Sequence, residues 1–521
     1  MKPIATNIAD FETLRKRGQI YVDKTAYLHR LIANPGSTFF FCARPRRFGK
    51  SLSVTTLKSI FLGHREYFED LAIAKTDYDW KKHTVIHFNW GGVSVANLEE
   101  FNESYRKAVK RSLNEAGWQY DDSLIPSDNL RDAMDFFYAR DKQGVVILID
   151  EYDDPVAKVL HKPELAEQIR TKLSSIYAQF KDNSDKIRFL YITGVSKFTK
   201  LSIFSCLSSL NDISFEDDYA ALYGYTEDEL TENFDEYLRI KAERMKLDYE
   251  AFRAELKRWF NGYRFTADSI ITVYNPVSIA SNLVSNKPRL IPGWTNTGRA
   301  SMLMNYITRE GLISIDPDSD IIAGDVDFDV SDLAHIRPIG MLYQTGYLTI
   351  ADYADGLYTL RVPNEEVRQD LAALVAGAYA KMDAQWSASL GIKLRAERWD
   401  EFFEGLKALY AKLPYGSHEK FERKNEFSYT RPLCMLLAAQ GFRYDIEAAH
   451  TVGRSDLIAT CPNGVFIFEL KIDKSAAVAM RQIHEKDYAA PYRAQPLPIW
   501  GIALCFNSKT RQLADFDVEK L

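Results

Sequence analysis

Up to about residue 215, near-continuous apolar runs alternate with segments of helical periodicity. The runs are Thr38–Ala43, Val85–Asn89, Val145–Ile149 and Arg188–Thr193. Strands apolar on both faces and separated by helices predict a parallel sheet covered on both sides. From 216 to 365 the pattern changes to a mainly helical region with one small hairpin. Thr226 and Glu229 stand at the spacing of a capping box, and Gly262 ends a charged helical stretch. The acidic stretch Asp316–Asp332 reads as a surface loop. Gly346–Asp352 and Leu357–Val362 flank Asp355-Gly356, which reads as a hairpin turn. Residues 366–410 form a helical connector that follows Pro363-Asn364-Glu365-Glu366. Residues 411–521 read helix, strand, turn, strand, helix, strand. The whole is an α/β chain of several domains.

Composition adds limits. A chain of 521 residues has material for several cores, and no run reaches the roughly 20 apolar residues of a membrane span. Behind Lys2 no apolar stretch suggests a secretion signal. Cys42, Cys206, Cys434, Cys461 and Cys505 are scattered, which suits a reducing cytoplasm and speaks against a cysteine zinc site. With 66 basic and 72 acidic residues the net charge is −6, so no global basicity advertises nucleic acid. From 411 onward 15 Lys+Arg stand against 13 Asp+Glu, or +2, leaving −8 for the rest. That mildly basic tail is compatible with a nucleic-acid site without arguing strongly for one.

The first chemical pattern is the loop Arg44-Pro45-Arg46-Arg47-Phe48-Gly49-Lys50-Ser51 behind the first apolar run. Strand, loop and helix start in that order place backbone N–H groups and a helix dipole around phosphate. Lys50 would neutralise phosphate charge and Ser51 would ligate Mg²⁺. The pattern G-x-x-x-x-G-K-[ST] wants glycine where Arg44 stands, and Arg44 cannot take a positive φ cheaply. Arg44, Arg46 and Arg47 either face phosphates or pair with nearby acids. Val145–Ile149 runs into Asp150 and Glu151, where an acid can hold Mg²⁺ and the next can polarise water. Thr193, Ser196 and Lys197 close another strand and are candidates for sensing a terminal phosphate. His83, His87 and Asn89 would share a strand face, but no acid or cysteine completes a metal set, which favours a structural role.

The second pattern is a hairpin. Asp456–Thr460 and Val465–Lys471 flank the turn Cys461-Pro462-Asn463-Gly464. Folding between 462 and 463 pairs numbers that sum to 925, which sets Asp456 opposite Glu469. Lys471, two residues on, shares the face of Glu469. Two carboxylates and a lysine suit metal-assisted phosphodiester cleavage: the acids hold Mg²⁺ and the lysine orients or deprotonates water. Glu426 could add a ligand, and Gln482, on the helix Ser475–Tyr488, could orient the lysine or touch DNA. A salt-bridged, solvent-exposed hairpin end is the plain alternative.

The loop, with Asp150-Glu151-Tyr152-Asp153 and Thr193–Phe198, resembles the bacterial AAA-ATPase-like family, which typically carries a C-terminal nuclease-like domain. Tyr21–Thr25, Asn261–Phe265, Tyr274-Asn275-Pro276 and Trp294–Gly298 resemble its recurring segments. The stretches Gly453–Asp456, Glu469-Leu470-Lys471 and Gln482–Tyr488 resemble the PD-(D/E)xK nuclease superfamily, with Ser455 where its proline often stands. The resemblance implies a P-loop, AAA-like parallel-sheet domain at 1–215, a lid or coupling region at 216–365, the connector at 366–410, and a PD-(D/E)xK domain at 411–521. It implies ATP with Mg²⁺ (Mn²⁺ substituting) on Arg44, Arg47, Phe48, Gly49, Lys50, Ser51, Asp150 and Thr193, with Glu151 as base. It implies cleavage of DNA in preference to RNA by Asp456, Glu469, Lys471 and Gln482, with Glu426 as a further metal ligand. Defence or mobile-element biology and self-association are compatible with it. The competing expectation is a nucleotide switch or regulatory ATPase whose nuclease-like domain only binds nucleic acid or a protein.

Overall fold

A computed structural model describes residues 1–197, 207, 209–293, 320–328, 338–380, 384–412, 426–450 and 453–521. Phe198, the segment Trp294–Gly298 and the parts 316–319 and 329–332 of the acidic stretch lie outside these. The described chain forms two compact units, one of Met1–Gly293 and Asp320–Asn364, the other of Glu365–Leu521. These differ from the four segments expected above: the mainly helical region packs with the N-terminal sheet, and 366–410 packs with the C-terminal domain.

The first unit is built on strands β1 (Phe39–Ala43), β2 (Val85–Asn89), β3 (Val145–Asp150), β4 (Ile187–Gly194) and β5 (Asn211–Asp212). Their order is β2-β3-β4-β1-β5, and every pairing is parallel. All residues of β1 and β3 are buried, which is why they read as unbroken apolar runs. The helices Leu98–Glu115, Pro126–Asp141 and Pro163–Asp182 seal one core with Phe101, Leu130, Leu173 and Ile176 against Phe41, Ile147 and Ile149. The polar residues that matter sit at the C-terminal ends of β1, β3 and β4, where open α/β sheets place ligands.

In the rest of this unit the capping box forms as expected: Thr226 Oγ1 accepts from Glu229 N, and the Glu229 carboxylate accepts from Thr226 N. Strands β6 (Ile321–Ala323), β7 (Thr349–Ala354) and β8 (Leu357–Arg361) make an antiparallel sheet in the order β6-β8-β7. Asp355 and Gly356 turn the hairpin with φ of 52° and 79°, the conformation an Asp-Gly pair favours. The acidic stretch is not wholly a loop. Ile321-Ile322-Ala323 is an apolar interruption that pairs with β8, and Asp325–Phe328 is helical with Phe328 buried.

The second unit has one sheet of β9 (Arg443–His450), β10 (Gly453–Cys461), β11 (Gly464–Ile472), β12 (Ile499–Phe506) and β13 (Leu513–Lys520). The order is β13-β12-β11-β10-β9, with β11 and β12 parallel and the other pairs antiparallel. The helix Ala476–Glu485 makes the crossover between the parallel strands and packs Ala479, Met480 and Ile483 on one sheet face. Residues of 390–442, including Leu406, Tyr429 and Leu433, cover the other face. Two strands escaped the sequence reading, and they are the two edges. β13 alternates apolar with charged residues and leaves most of its side chains exposed; charge on an edge discourages further pairing.

One buried group makes a test of the fold. His87, on the edge strand β2, has a partly buried ring whose Nε2 finds no hydrogen-bond partner. Burial, with Lys58 and Arg111 adding to it, pushes its pKa from 6.5 down to about 4. The folded state therefore favours the neutral ring. Its stabilising share is complete above pH 6.5 and is lost as pH falls from 6.5 toward 4. After discounting for partial exposure, that share is roughly 2 kcal/mol. Urea unfolding at pH 7 and pH 4.5 should show a smaller acid destabilisation for His87→Phe than for the wild type. Equal losses would show that His87 is not the titrating group.

Candidate functional site

The phosphate-loop candidate runs from the end of β1 to the helix Lys50–Phe61. Two left-handed residues shape it: Arg47 with φ 69° and Gly49 with φ 98°. The conformational demand foreseen at Arg44 therefore falls on Arg47 and Gly49. At Gly49 an L side chain would be strained whatever the space around it.

Lys50 is buried, and its Nζ donates to the carbonyls of Arg44 and Pro45, both at 2.8 Å. Burial lowers its pKa to about 8, and Asp150, Asp153 and Glu151 partly offset the shift. The Ser51 hydroxyl lies near enough to Asp150 to favour its charged form. Asp150 is 1 % exposed, and its Oδ1 is buried without a hydrogen-bond partner. Burial raises its pKa. A buried, orphaned carboxylate oxygen next to a serine hydroxyl suits a hydrated divalent cation, so Ser51 and Asp150 fit the metal role expected of them.

Glu151 adopts φ 53° and is brought against Gly91, in the Gly-Gly pair just after β2. A Cβ at residue 91 would collide with the Glu151 carboxylate. Gly91 is the contributor that sequence reading missed; the signal was a glycine pair directly behind a parallel strand. Burial, together with Asp154 and Asp150, raises the pKa of Glu151.

Several expected nucleotide contacts lie elsewhere. Arg44 turns away from the cradle: it is 2 % exposed, and its Nη1 donates to Ala43 O at 3.0 Å and Ser214 O at 2.6 Å. Its guanidinium lies over the Phe265 ring, at 4.3 Å. Arg46 pairs with Asp154 at 3.1 Å, the acid partner weighed for the loop arginines. Arg47 Nη1 donates to Gly293 O at 3.3 Å. The Phe48 ring is buried edge-on against Tyr263 at 4.8 Å and Phe265 at 5.4 Å, so its side chain anchors the loop rather than meeting a ligand. Thr193 Oγ1 donates to Cys42 O at 2.9 Å and bridges β4 to β1, so its proton is engaged by backbone here. Its neighbours are instead held by Asp153, which accepts from Val195 N and from both N and Oγ of Ser196.

Those contacts also explain two recurring segments for which sequence offered no role. Tyr263 and Phe265 brace Phe48, and Asn275 caps the helix Pro276–Val284 while its Nδ2 donates to Arg46 O at 3.4 Å. Both hold the loop from outside the sheet.

In the second unit the hairpin has the expected register. Pairs from Leu457–Phe468 to Cys461–Gly464 keep the sum 925. Asp456 follows next in line, and its Oδ2 accepts from Leu470 N at 2.7 Å. Glu469 is fully buried, and Lys471 Nζ donates to its Oε1 at 2.7 Å. Glu426, opening the helix Glu426–Ala439, has Oε1 at 3.6 Å from the same Nζ. Four ionisable groups thus meet at the open end of an apolar hairpin, three of them acids.

Burial and the nearby Asp456 push the pKa of Glu469 up to about 7 against the opposing pull of Lys471. Its Oε2 is buried with no hydrogen-bond partner. Among the described residues no three His, Cys, Asp or Glu side chains close into a metal cage. Two carboxylates are nonetheless what Mg²⁺ needs when waters and substrate oxygens complete its shell, and the orphaned Glu469 oxygen fits that use. Gln482 does not reach the lysine. Its Nε2 donates to the Tyr488 hydroxyl at 3.2 Å. Tyr488 is itself close enough to feel the charges of Glu469, Asp456 and Lys471.

Comparison with known proteins gives three results. Residues 5–204 match the family described as predicted AAA-ATPase. Residues 424–516 match the PD-(D/E)XK nuclease superfamily. The chain is 30 % identical over 536 aligned positions to the protein called "Uncharacterized protein in vnfD 5'region" of Azotobacter chroococcum mcd 1, covering all of this chain and 99 % of that relative. No helix among the described residues is long and apolar enough to cross a membrane.

Proposed function

The chain belongs to the family that joins a predicted AAA-ATPase domain to a PD-(D/E)XK nuclease superfamily domain, and from that premise we propose that it is an ATP-dependent, metal-dependent nuclease acting on DNA in preference to RNA. The observation that carries the reading is the buried Glu469 oxygen without a partner, beside Asp456 and Lys471. Asp456 and Glu469, with Glu426 in reach of Lys471, would hold Mg²⁺ or Mn²⁺. The ion would polarise the scissile phosphate and acidify a bound water. Lys471 would orient that water and offset charge developing on the phosphate. Gln482 acts through Tyr488 as a positioning residue. In the first unit the backbone around Gly49 and the ammonium of Lys50 would cradle the ATP phosphates, with Ser51 and Asp150 as metal ligands and Glu151 as the base. Action in defence or in mobile elements suits these activities.

A binding-only switch draws on one observation, the bonds from Lys50 to the loop's own carbonyls. Turnover separates the readings. The full chain is assayed for ATP hydrolysis and for Mn²⁺-dependent cleavage of single- and double-stranded DNA and RNA, beside Glu469→Gln. Cleavage by the wild type alone supports the nuclease reading. Equal cleavage by both proteins, or none by either with any substrate, defeats it.

The contact between Gly91 and Glu151 supplies a separate expectation. Gly91→Ala should push the Glu151 carboxylate aside at little cost to the fold, since the colliding atom ends a flexible side chain. ATP hydrolysis should fall about 100-fold, the lower end of what a positioned general base contributes. Nucleotide affinity should stay within about twofold, since a general base acts on proton transfer and not on binding. A variant that hydrolyses at the wild-type rate would remove Glu151 from the role of base.

A further inference from the structure

We propose that Arg44 is the recognition group of a small-oxyanion site, separate from the phosphate cradle it borders and walled by Lys197, Phe215, Phe265 and Tyr343. Arg44 is 2 % exposed, and Nη1 is its hydrogen-bonded nitrogen, shared between two backbone carbonyls. Nε and Nη2 are buried with no partner. These two nitrogens form one edge of the planar guanidinium, the edge that donates parallel hydrogen bonds to a carboxylate or phosphate group. Among the described residues no carboxylate is ion-paired with Arg44.

The surroundings select for negative charge. Lys197, the second cation of the concavity, pairs with Asp212 at 2.8 Å and lies over the Phe215 ring at 4.0 Å. Arg44, Lys197 and Asp212 together leave one positive charge. The aromatic walls keep the local dielectric low, which strengthens attraction to an anion. Size limits the occupant. The concavity measures about 320 Å³ with its open mouth, but only about 20 Å³ is wide enough to centre a water-sized body. The enclosed part has room for about one water-sized atom group, so a compact oxyanion would seat an oxygen there and lie in the open mouth, and a nucleotide does not fit.

The site has a route to the cradle. The carbonyls of Arg44 and Pro45 are the acceptors of Lys50, so an anion held on the Arg44 side chain steadies the segment to which the cradle lysine is tied. The ligand class is a small oxyanion, either inorganic phosphate or a short carboxylate. The inference stands whether or not the chain hydrolyses ATP.

The test is thermal unfolding of the full chain at constant ionic strength, with chloride replaced by 10 mM (about tenfold over a ~1 mM Kd) phosphate or formate. The wild type is compared with Arg44→Lys, which keeps a cation, loses the two-pronged edge and leaves Lys50 and the neighbouring cradle in place. At least one of the anions should raise the Tm of the wild type by about 2 °C more than that of the variant. Which anion does so tells phosphate from carboxylate. Should Arg44→Lys not fold, Tyr343→Trp fills the cavity and should remove the difference equally. No rise with either anion, or an equal rise in the wild type and these variants, overturns the proposal.

Discussion

Lys471→Ala is expected to lower metal-dependent cleavage at least ~100-fold, the scale of losing a group that stabilises charge in the transition state. Lys471 is the cation of its cluster, 2.7 Å from Glu469 and 3.6 Å from Glu426. Without it the fully buried Glu469 shares the hairpin end with Asp456 and no compensating charge. A buried carboxylate stripped of its partner is costly, about 3–5 kcal/mol when one member of a buried pair is removed. Some loss of stability therefore accompanies the loss of activity. The double variant Glu469→Gln/Lys471→Met reads the stability share alone, because it removes both charges and should recover most of the stability, while the loss of a metal ligand keeps it inactive. The measurement is cleavage against Mn²⁺ concentration, with Tm alongside. Wild-type cleavage by Lys471→Ala, measured well below its Tm, would mean that Lys471 acts only through the fold.

Lys50→Ala is expected to weaken ATP binding about 100-fold, near the ~3 kcal/mol upper end for hydrogen bonds to charged groups. The lysine is buried, ties the carbonyls of Arg44 and Pro45, and is drawn on by Asp150, Asp153 and Glu151. Its removal takes away the positive charge of the cradle and also loosens the loop around it. Arg47→Ala serves as the contrast. Its guanidinium donates to Gly293 O, so affinity should change by less than about fivefold, near the ~1 kcal/mol scale of one ordinary hydrogen bond. Titration calorimetry with MgATP reads both. Equal losses in the two variants would return Arg47 to the phosphates.

Much of this architecture could be read from residue order alone. β1 and β3 are short apolar runs because parallel strands buried on both faces need no alternation. The second hairpin could be aligned to the residue, since a tight turn fixes register. The edges were less legible. β13 carries charges on an exposed face, and β6 is a three-residue run inside an acidic stretch. Neither is apolar enough by itself to announce a strand, and each exists because a neighbour supplies the ladder.

The candidate sites divide in the same way. Lys50, Ser51, Asp150, Glu469 and Lys471 lie in local patterns, where a strand end or a two-residue period dictates which side chains share a face. Their juxtaposition was visible in the sequence by itself. Where Arg44 points was not: its acceptor Ser214 stands 170 residues away. The same holds for Thr193, whose hydroxyl bonds Cys42 across 151 residues, and for Gly91 against Glu151. Sequence determined the elements, the hairpin register and the types of reactive group, because those depend on neighbours along the chain. Only the tertiary structure decided which polar groups remain open to a ligand, because burial and hydrogen-bond partners are set by segments that meet only after folding.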